Sequence, residues 1–417
     1  MTHPAVHDRL SPGAWGLLVF LTLLNVLNFV DRQLIASLAP LLIADLGLTR
    51  AQIGLLVGFA FVVFYTVMGV VLGVAADRVS RTKLLAGGLG LWSAMTAVSG
   101  LATSFVHLAI PRVLVGVGEA TLTPAALGML GDAFPRHRLG MATGVYYAGI
   151  PLGTALSLII AGWMAPRFGW RMCFYALGLI GLAAVALLFF FREPARRGVA
   201  AGQALPTMRQ IREATVGAFR TQPALVMVLA GGTLLCYAAG SALHVVTWLV
   251  QERGFSFQAA AYSAGVIAVF AGFAGNLAGG WFADWCARRW AGGRQWSLVI
   301  MAAATTPFGV AFFLLPVDSP FFYVCWFVAS SSTTIWFGPV FSAVQELSPV
   351  AVRSTIVAVA LLVMNLLGVG PGPFVTGLIG DHYSLTAGLL VSLAVGVSST
   401  IPFALGARYQ RRTDGHA

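Results

Sequence analysis

Four ionisable side chains stand where this sequence otherwise avoids charge: Asp31, Arg32, Arg112 and Glu119. The first two lie in NFVDRQLIA, well inside an apolar run that begins near Gly13. The other two lie in RVLVGVGEA. A charge at the centre of a membrane span costs roughly 2.5–3.5 kcal/mol, so four cost about 10–14 kcal/mol before pairing. Such groups must face an interior cavity and pair with one another. At about 100° per residue, Asn25, Asn28, Asp31 and Arg32 fall within roughly 120° of one helix. Arg112, Gly116, Glu119 and Thr123 share a face of another. Asp31 with Arg112, and Arg32 with Glu119, are pairings this arrangement permits, and the sequence does not choose between pairings.

The chemistry such a set offers is proton coupling. A low-dielectric cavity favours a protonated carboxyl, whereas a nearby arginine favours the ionised one. Opening and closing the cavity changes both influences. Arginine does not give up its proton. Asp31 and Glu119 are therefore the candidate titrating groups, and Arg32 and Arg112 the candidate counter-charges or anion-binding groups. The alternative role for all four is a static ion-pair network that fixes helix packing.

The elements that hold these residues are membrane spans. The chain has 417 residues, 58% hydrophobic and 9% charged, with a mean hydropathy of +0.86. Soluble domains carry about 25% charged residues. Twelve apolar segments reach the roughly 20 residues that a span needs: 13–37, 51–76, 83–104, 107–131, 138–164, 171–191, 223–250, 258–283, 295–316, 320–345, 353–380 and 385–407. No cleavable signal is expected, since the first apolar run is of full span length. The formal charge of +11 fits basic loops beside anionic lipid rather than nucleic acid. With both termini cytoplasmic, nineteen basic residues fall inside and four (Arg50, Arg167, Arg171, Arg253) outside, as the positive-inside rule requires. The four cysteines show no metal-ligand or disulfide spacing, and no metal or cofactor is expected.

A polar segment, 192–222, separates six spans from six. The expected organisation is an N-terminal bundle (1–191), a cytoplasmic linker (192–222) and a C-terminal bundle (223–417). The linker's end, PTMRQIREATVGAFR, places Met208, Ile211, Thr215 and Phe219 at helical spacing. An amphipathic surface helix fits it, and so does a flexible linker. The loop after span two reads GVAADRVSRTK and the loop after span eight GWFADWCARR. Gly73, Asp77 and Arg81 recur at the same spacing as Gly280, Asp284 and Arg288, which marks a parallel internal repeat.

The first of these loops resembles the G-x-x-x-D-R-x-G-R-[KR] signature of the major facilitator superfamily, with Ser80 where glycine is usual. That resemblance covers the whole chain. It implies an all-α membrane protein with 12 transmembrane helices in two six-helix bundles around a central cavity. It also implies a gating charge network for Asp77, Arg78, Arg81, Asp284 and Arg288, whose alternative role is to set topology at span ends. NFVDR, RVLVGVGEATLTP, GDAFP, YYAGIPLG and GWR together resemble the Spinster branch of that superfamily. This second likeness implies transport of lysolipids, among them sphingosine-1-phosphate and lysophospholipids, and proton coupling.

Further cavity candidates are Asn28, Thr123 and Tyr146 in the first half. In the second half they are Tyr237, Ser241, His244 and Trp248 along one helix stripe, Trp336 beside the polar run 330–334, and Asn365 near Gly368, Gly370, Pro371 and Pro373. Asn365 marks an expected bend. His244 offers a proton or phosphate ligand, with a packing histidine as its alternative. The expected function is a proton-coupled secondary transporter that works by alternating access on an amphipathic lysolipid or related organic anion. Symport of a small carboxylate such as a sugar acid, and multidrug/proton antiport, are the alternatives. An enzyme is not expected, because no nucleophile–base set or metal cluster is present in the pattern. The expected partners are the amphipathic substrate, protons and membrane lipids, and the expected state is a monomer in the cell (inner) membrane.

Overall fold

The computed structural model describes residues 13–191, 193–194, 208–349 and 352–414. The side chains at 70, 74, 77, 78, 136, 137, 208–212, 354 and 411–414 lie outside that description. The described residues are almost wholly helical. Eleven helices among them are long and apolar enough to cross a membrane. A further helix, Arg81–Ser99, has 19 residues but carries Gly87, Gly88, Gly90, Ser93 and Ser99, which dilute its hydropathy. These helices make the chain an integral membrane protein.

The chain divides into two compact units, one of residues 1–48, 60–203 and 256–265 and one of residues 49–59, 204–255 and 266–417. In the first, Ala14–Ser37 packs along Gly149–Phe168, and Arg81–Ser99 packs against Phe105–Glu119 and Trp170–Leu188. Two glycines set how closely these helices approach. A Cβ on Gly118 would sit 2.7 Å from the Gly88 carbonyl oxygen and 2.9 Å from the Trp92 backbone nitrogen. One on Gly153 would run into the backbone of Val26 and Val30. Small residues at such crossings let membrane helices come within backbone distance.

Several spans are broken near polar residues. The first stops at Ser37 and restarts as Ala39–Leu46 with Pro40 near its start, where proline's missing N–H costs nothing. The fourth, Phe105–Ala133, is interrupted directly after Glu119, between Phe105–Glu119 and Leu122–Ala133.

In the second unit, Pro223–Ser241 runs into a 3₁₀ turn at Ala242–His244 before Val245–Gln251 continues. The expected bend at Asn365 takes the form of a π turn, Asn365–Val369. It closes when Gly370 N donates to Asn365 O at 2.8 Å, and Pro371 follows. Such turns often sit at functional positions. Val228, Val340, Val344, Ile356 and Phe403 form the floor of this unit's core. Residues 208–221 form a helix, as the amphipathic spacing suggests, and Ala218 and Phe219 pack on the same core. Within this unit too, Arg50–Val57 packs on Pro371–His382. Asp381 accepts from the Arg50 and Ala51 backbone N–H groups, each at 2.9 Å, while Arg50 Nε donates to Gln251 Oε1 at 2.9 Å.

Candidate functional site

The four intramembrane charges converge inside the first unit. Glu119 is 1% exposed, Arg112 3% and Asp31 5%. Arg32 donates from Nε and Nη2 to Glu119 Oε2 at 3.3 and 3.2 Å. Arg112 Nη2 donates to the Arg32 carbonyl oxygen at 2.7 Å. Thr96 Oγ1 donates to Asp31 Oδ2. Of the pairings left open by the sequence, Arg32 with Glu119 is present. Asp31 instead takes the hydroxyl of a third helix.

Aromatic faces complete the set. The Arg32 guanidinium carbon lies 4.2 Å from the centre of the Tyr65 ring, 4.7 Å from Phe61 and 4.8 Å from Phe29. That of Arg112 lies 4.4 Å from Phe61. Phe61 and Tyr65 stack at 5.3 Å. A cation over an aromatic face is attracted to the ring quadrupole, most of all where water is excluded. The arginines thus lie against aromatic faces, with Glu119 and the Arg32 carbonyl as their acceptors. Glu119 is held by one oxygen only. Neither Asn28 Nδ2 nor Glu119 Oε1 completes a hydrogen bond of ordinary geometry among the described residues.

Sequence reasoning missed Thr96, Phe61 and Tyr65. Phe61 and Tyr65 are four apart, the spacing of one helix face, but aromatic pairs are common in this chain. Thr96 is one of many membrane hydroxyls, and only the crossing of two helices selects it.

The remaining first-unit candidates stand close by. The Tyr146 backbone carbonyl accepts from Asn25 Nδ2 at 2.8 Å, and its hydroxyl lies 3.5 Å from Thr123 Oγ1. The GWR stretch has a different task. Trp170 Nε1 and Arg171 Nη1 donate to Asp45 Oδ2 at 3.0 and 2.8 Å. Asp45 is outside the spans, and the Arg171 hydrogen bond, followed by that of Trp170, holds its carboxyl below the usual carboxylate range.

The loop candidates divide. The side chains of Asp77 and Arg78 lie outside the described residues. Arg81 Nη1 pairs with Asp132. Glu193 accepts from Ser80 Oγ at 2.6 Å and from the Arg81 N–H at 3.0 Å, which places a carboxylate on the N-terminus of Arg81–Ser99, where the helix dipole favours it. Ser80, the departure from the superfamily pattern, caps that helix by accepting from Lys83 N at 3.3 Å. In the second copy, Asp284 pairs with Arg294 at 3.4 Å rather than with Arg288, and Arg294 also reaches Glu346 at 3.3 Å. Arg288 is exposed.

The second-unit candidates are less open. Ser241 is buried and donates to the Tyr237 carbonyl at 3.0 Å. His244 is buried with Nε2 2.8 Å from the Pro373 carbonyl, while its Nδ1 has no hydrogen-bond partner. Trp248 is wholly buried, donates to Thr386 Oγ1 at 2.7 Å and packs against Phe312 and Phe313. Trp336 is nearly buried, and Asn365 opens the π turn. Among the described residues no three His, Cys, Asp or Glu side chains cluster as a metal site would need.

A model of the Major Facilitator Superfamily matches residues 21–373. An MFS-type efflux pump of Mycolicibacterium smegmatis is 30% identical over 97% of this chain and 95% of its own length. A hexuronate transporter of Bacillus subtilis is 31% identical over 64% of each chain. Human spinster homolog 1 is 31% identical over 58% of this chain and 47% of its own length. Among solved structures, a bacterial homologue of the human lysosomal transporter Spinster, in an inward-facing and unoccupied conformation, superposes with a TM-score of 0.84. It is 24% identical and covers 96% of this chain and 98% of its own.

Proposed function

The chain belongs to the Major Facilitator Superfamily, where it is Spinster-like, and from that premise we propose that it is a proton-coupled secondary transporter for an amphipathic lysolipid or related organic anion. Its relatives are transporters rather than enzymes.

One observation carries the proposal: a buried carboxylate–arginine set inside a single unit, with Arg32 paired to Glu119 and Asp31 held by a neutral hydroxyl. Asp31 is the first proton carrier, because its hydroxyl partner serves the protonated and the ionised carboxyl alike. Glu119 is the second, released when substrate anion or movement draws Arg32 away. Arg32 and Arg112 supply the counter-charge. Bundles 1–191 and 223–417, joined by 192–222, exchange access between the two sides. Asp77, Arg78, Arg81, Asp284 and Arg288 steady one end state. Asn28, Thr123, Tyr146, Tyr237, Ser241, His244, Trp248, Trp336 and Asn365 are the accompanying cavity candidates. The protein works as a monomer in the cell membrane with both termini cytoplasmic.

Flux into proteoliposomes under an imposed pH gradient tests this, with lysophospholipid, hexuronate and a hydrophobic cation in parallel. Lysophospholipid flux that collapses with the gradient is expected. Gradient-driven flux of hexuronate alone would assign a small carboxylate instead. The near full-length likeness to an efflux pump favours a second reading, export of amphipathic foreign compounds by proton antiport. Flux of the hydrophobic cation alone would select it.

A further inference from the structure

Within the second unit lies a cavity of about 120 Å³. Its walls come from four spans: Pro223–Gln251, Gly293–Leu314, Phe322–Leu347 and Leu385–Gln410. On Gly293–Leu314 the lining runs from Leu298 to Phe313, about 22 Å along the helix at 1.5 Å per residue. A small volume spread over that length makes a narrow slot rather than a round chamber. Phe312 and Trp326, stacked at 5.5 Å, line one end, and Leu298 and Trp336 line the other.

The slot is apolar by construction, although several hydroxyl residues line it. Thr305 donates to the Met301 carbonyl at 2.9 Å and Thr306 to that of Ala302 at 2.6 Å. Ser332 donates to the Ala329 carbonyl at 2.6 Å and Thr333 to that of Ser330 at 2.7 Å. These four hydroxyl hydrogens are spent on their own helices, while Ser330 and Ser392 also line the slot. No Asp, Glu, Lys, Arg or His is among the lining residues. A water needs two to four polar partners, and an engineered apolar cavity of about 150 Å³ stays dry and takes up benzene. Alanines and glycines (Ala239, Ala302, Ala329, Gly309, Gly396) keep the bore open.

We infer that this slot binds one unbranched hydrocarbon chain of an amphiphile, and that its charged or polar head is held elsewhere. The length and narrowness favour a chain over a ring, and a lining without a charged side chain disfavours a charged ligand. That the chain belongs to transported substrate rests on the function proposed above. The chemical selectivity of the slot does not.

The test uses the full chain in nanodiscs with a lysophosphocholine bearing a diazirine near the end of its chain. After photolysis, the adduct should map by mass spectrometry to peptides containing Met301–Phe313 and Trp326–Trp336. Ala302→Phe and Ala329→Phe, which fill the slot, should lower that labelling at least tenfold. Thr306→Val, equal in size, should not. If the filling variants do not fold, the adduct position in the unaltered protein still decides. Competition by dodecylphosphocholine alone assigns a single-chain amphiphile, and competition by diacyl phosphatidylcholine as well assigns any lipid chain. Both support a chain site. Adducts confined to exposed positions outside the slot such as Phe270 and Leu277, unchanged in the filling variants, would overturn it. Slot labelling without lysophospholipid flux would refute the transport proposal and leave the chain site standing, whereas flux without slot labelling would do the reverse.

Discussion

The two units solve opposite problems with the same material. Each is a helical bundle rich in glycine and apolar residues, yet the first buries Asp31, Arg112 and Glu119 and packs Arg32 among aromatic rings. The second buries no Asp, Glu, Lys or Arg side chain among its described residues, only polar groups such as His244 and Gln295, and leaves an uncharged slot. Charge in a membrane is costly, so confining it to one bundle confines that cost and, on the proposed mechanism, gives one place for protons to act. The other bundle is then free to be selective for apolar surface. An amphiphile carries both properties in one molecule.

The sharpest way to break that contrast is to remove a charge from the first unit. Arg32→Ala leaves Glu119 buried without its cation, a change that typically costs about 3–5 kcal/mol. The thermal unfolding midpoint should fall and gradient-driven flux should disappear. In the second unit, Trp248→Phe removes a hydrogen bond to Thr386 while keeping an aromatic ring, a loss of about 1 kcal/mol. Flux should survive it. Equal damage from the two substitutions would erase the distinction between the units.

The repeated loops give a finer comparison. The Arg81–Asp132 side chains are each 12% exposed, whereas Arg294 is 28% exposed and its partners Asp284 and Glu346 are 58% and 46% exposed. Exposed pairs contribute about 0–1 kcal/mol. Arg81→Ala should therefore shift the conformational balance, read as spin-label distances across the cytoplasmic ends, more than Arg294→Ala does. A larger shift from Arg294 would reverse the ranking of the two copies.

The smallest effect belongs to the Asp45 tie. The hydrogen bonds from Arg171 and Trp170 hold this carboxyl below the usual carboxylate range in the folded state, so its contribution is present above the ordinary carboxylate range. It is lost as pH falls through the lowered folded value. Asp45→Asn should lower stability slightly at neutral pH and flatten the acid limb of a stability–pH profile, so that the two proteins converge as pH falls. An acid limb as steep as that of the unaltered protein would show that this contact does not shape it.

The membrane class, the span ends and the internal repeat were legible because span length and loop charge are one-dimensional properties. The four buried charges were legible for the same reason, since each is an exception to an apolar background. Their pairing was not legible: helix faces permit Arg32 with Glu119 without selecting it, and Thr96 reaches Asp31 through a crossing that no spacing encodes. The slot could not be read at all. It arises from what four helices fail to fill, and Thr305, Thr306, Ser332 and Thr333 look polar until their hydroxyls are found bonded to their own helices. The break after Glu119 was equally hidden, because neither Ala120 nor Thr121 interrupts a helix by type. The GWR stretch served as a mark of kinship, and its contact with Asp45 depends on residues more than a hundred positions apart.

The central claim is that Asp31 couples protons to transport rather than binding substrate. The direct measurement compares two fluxes of lysophospholipid in proteoliposomes of Asp31→Asn: net flux driven by a pH gradient, and exchange of labelled for unlabelled substrate at equal pH on both sides. Exchange needs no net proton movement. The account predicts that driven flux falls to background while exchange persists at a rate near that of the unaltered protein. Driven flux that persists, or exchange lost together with it, would contradict that assignment.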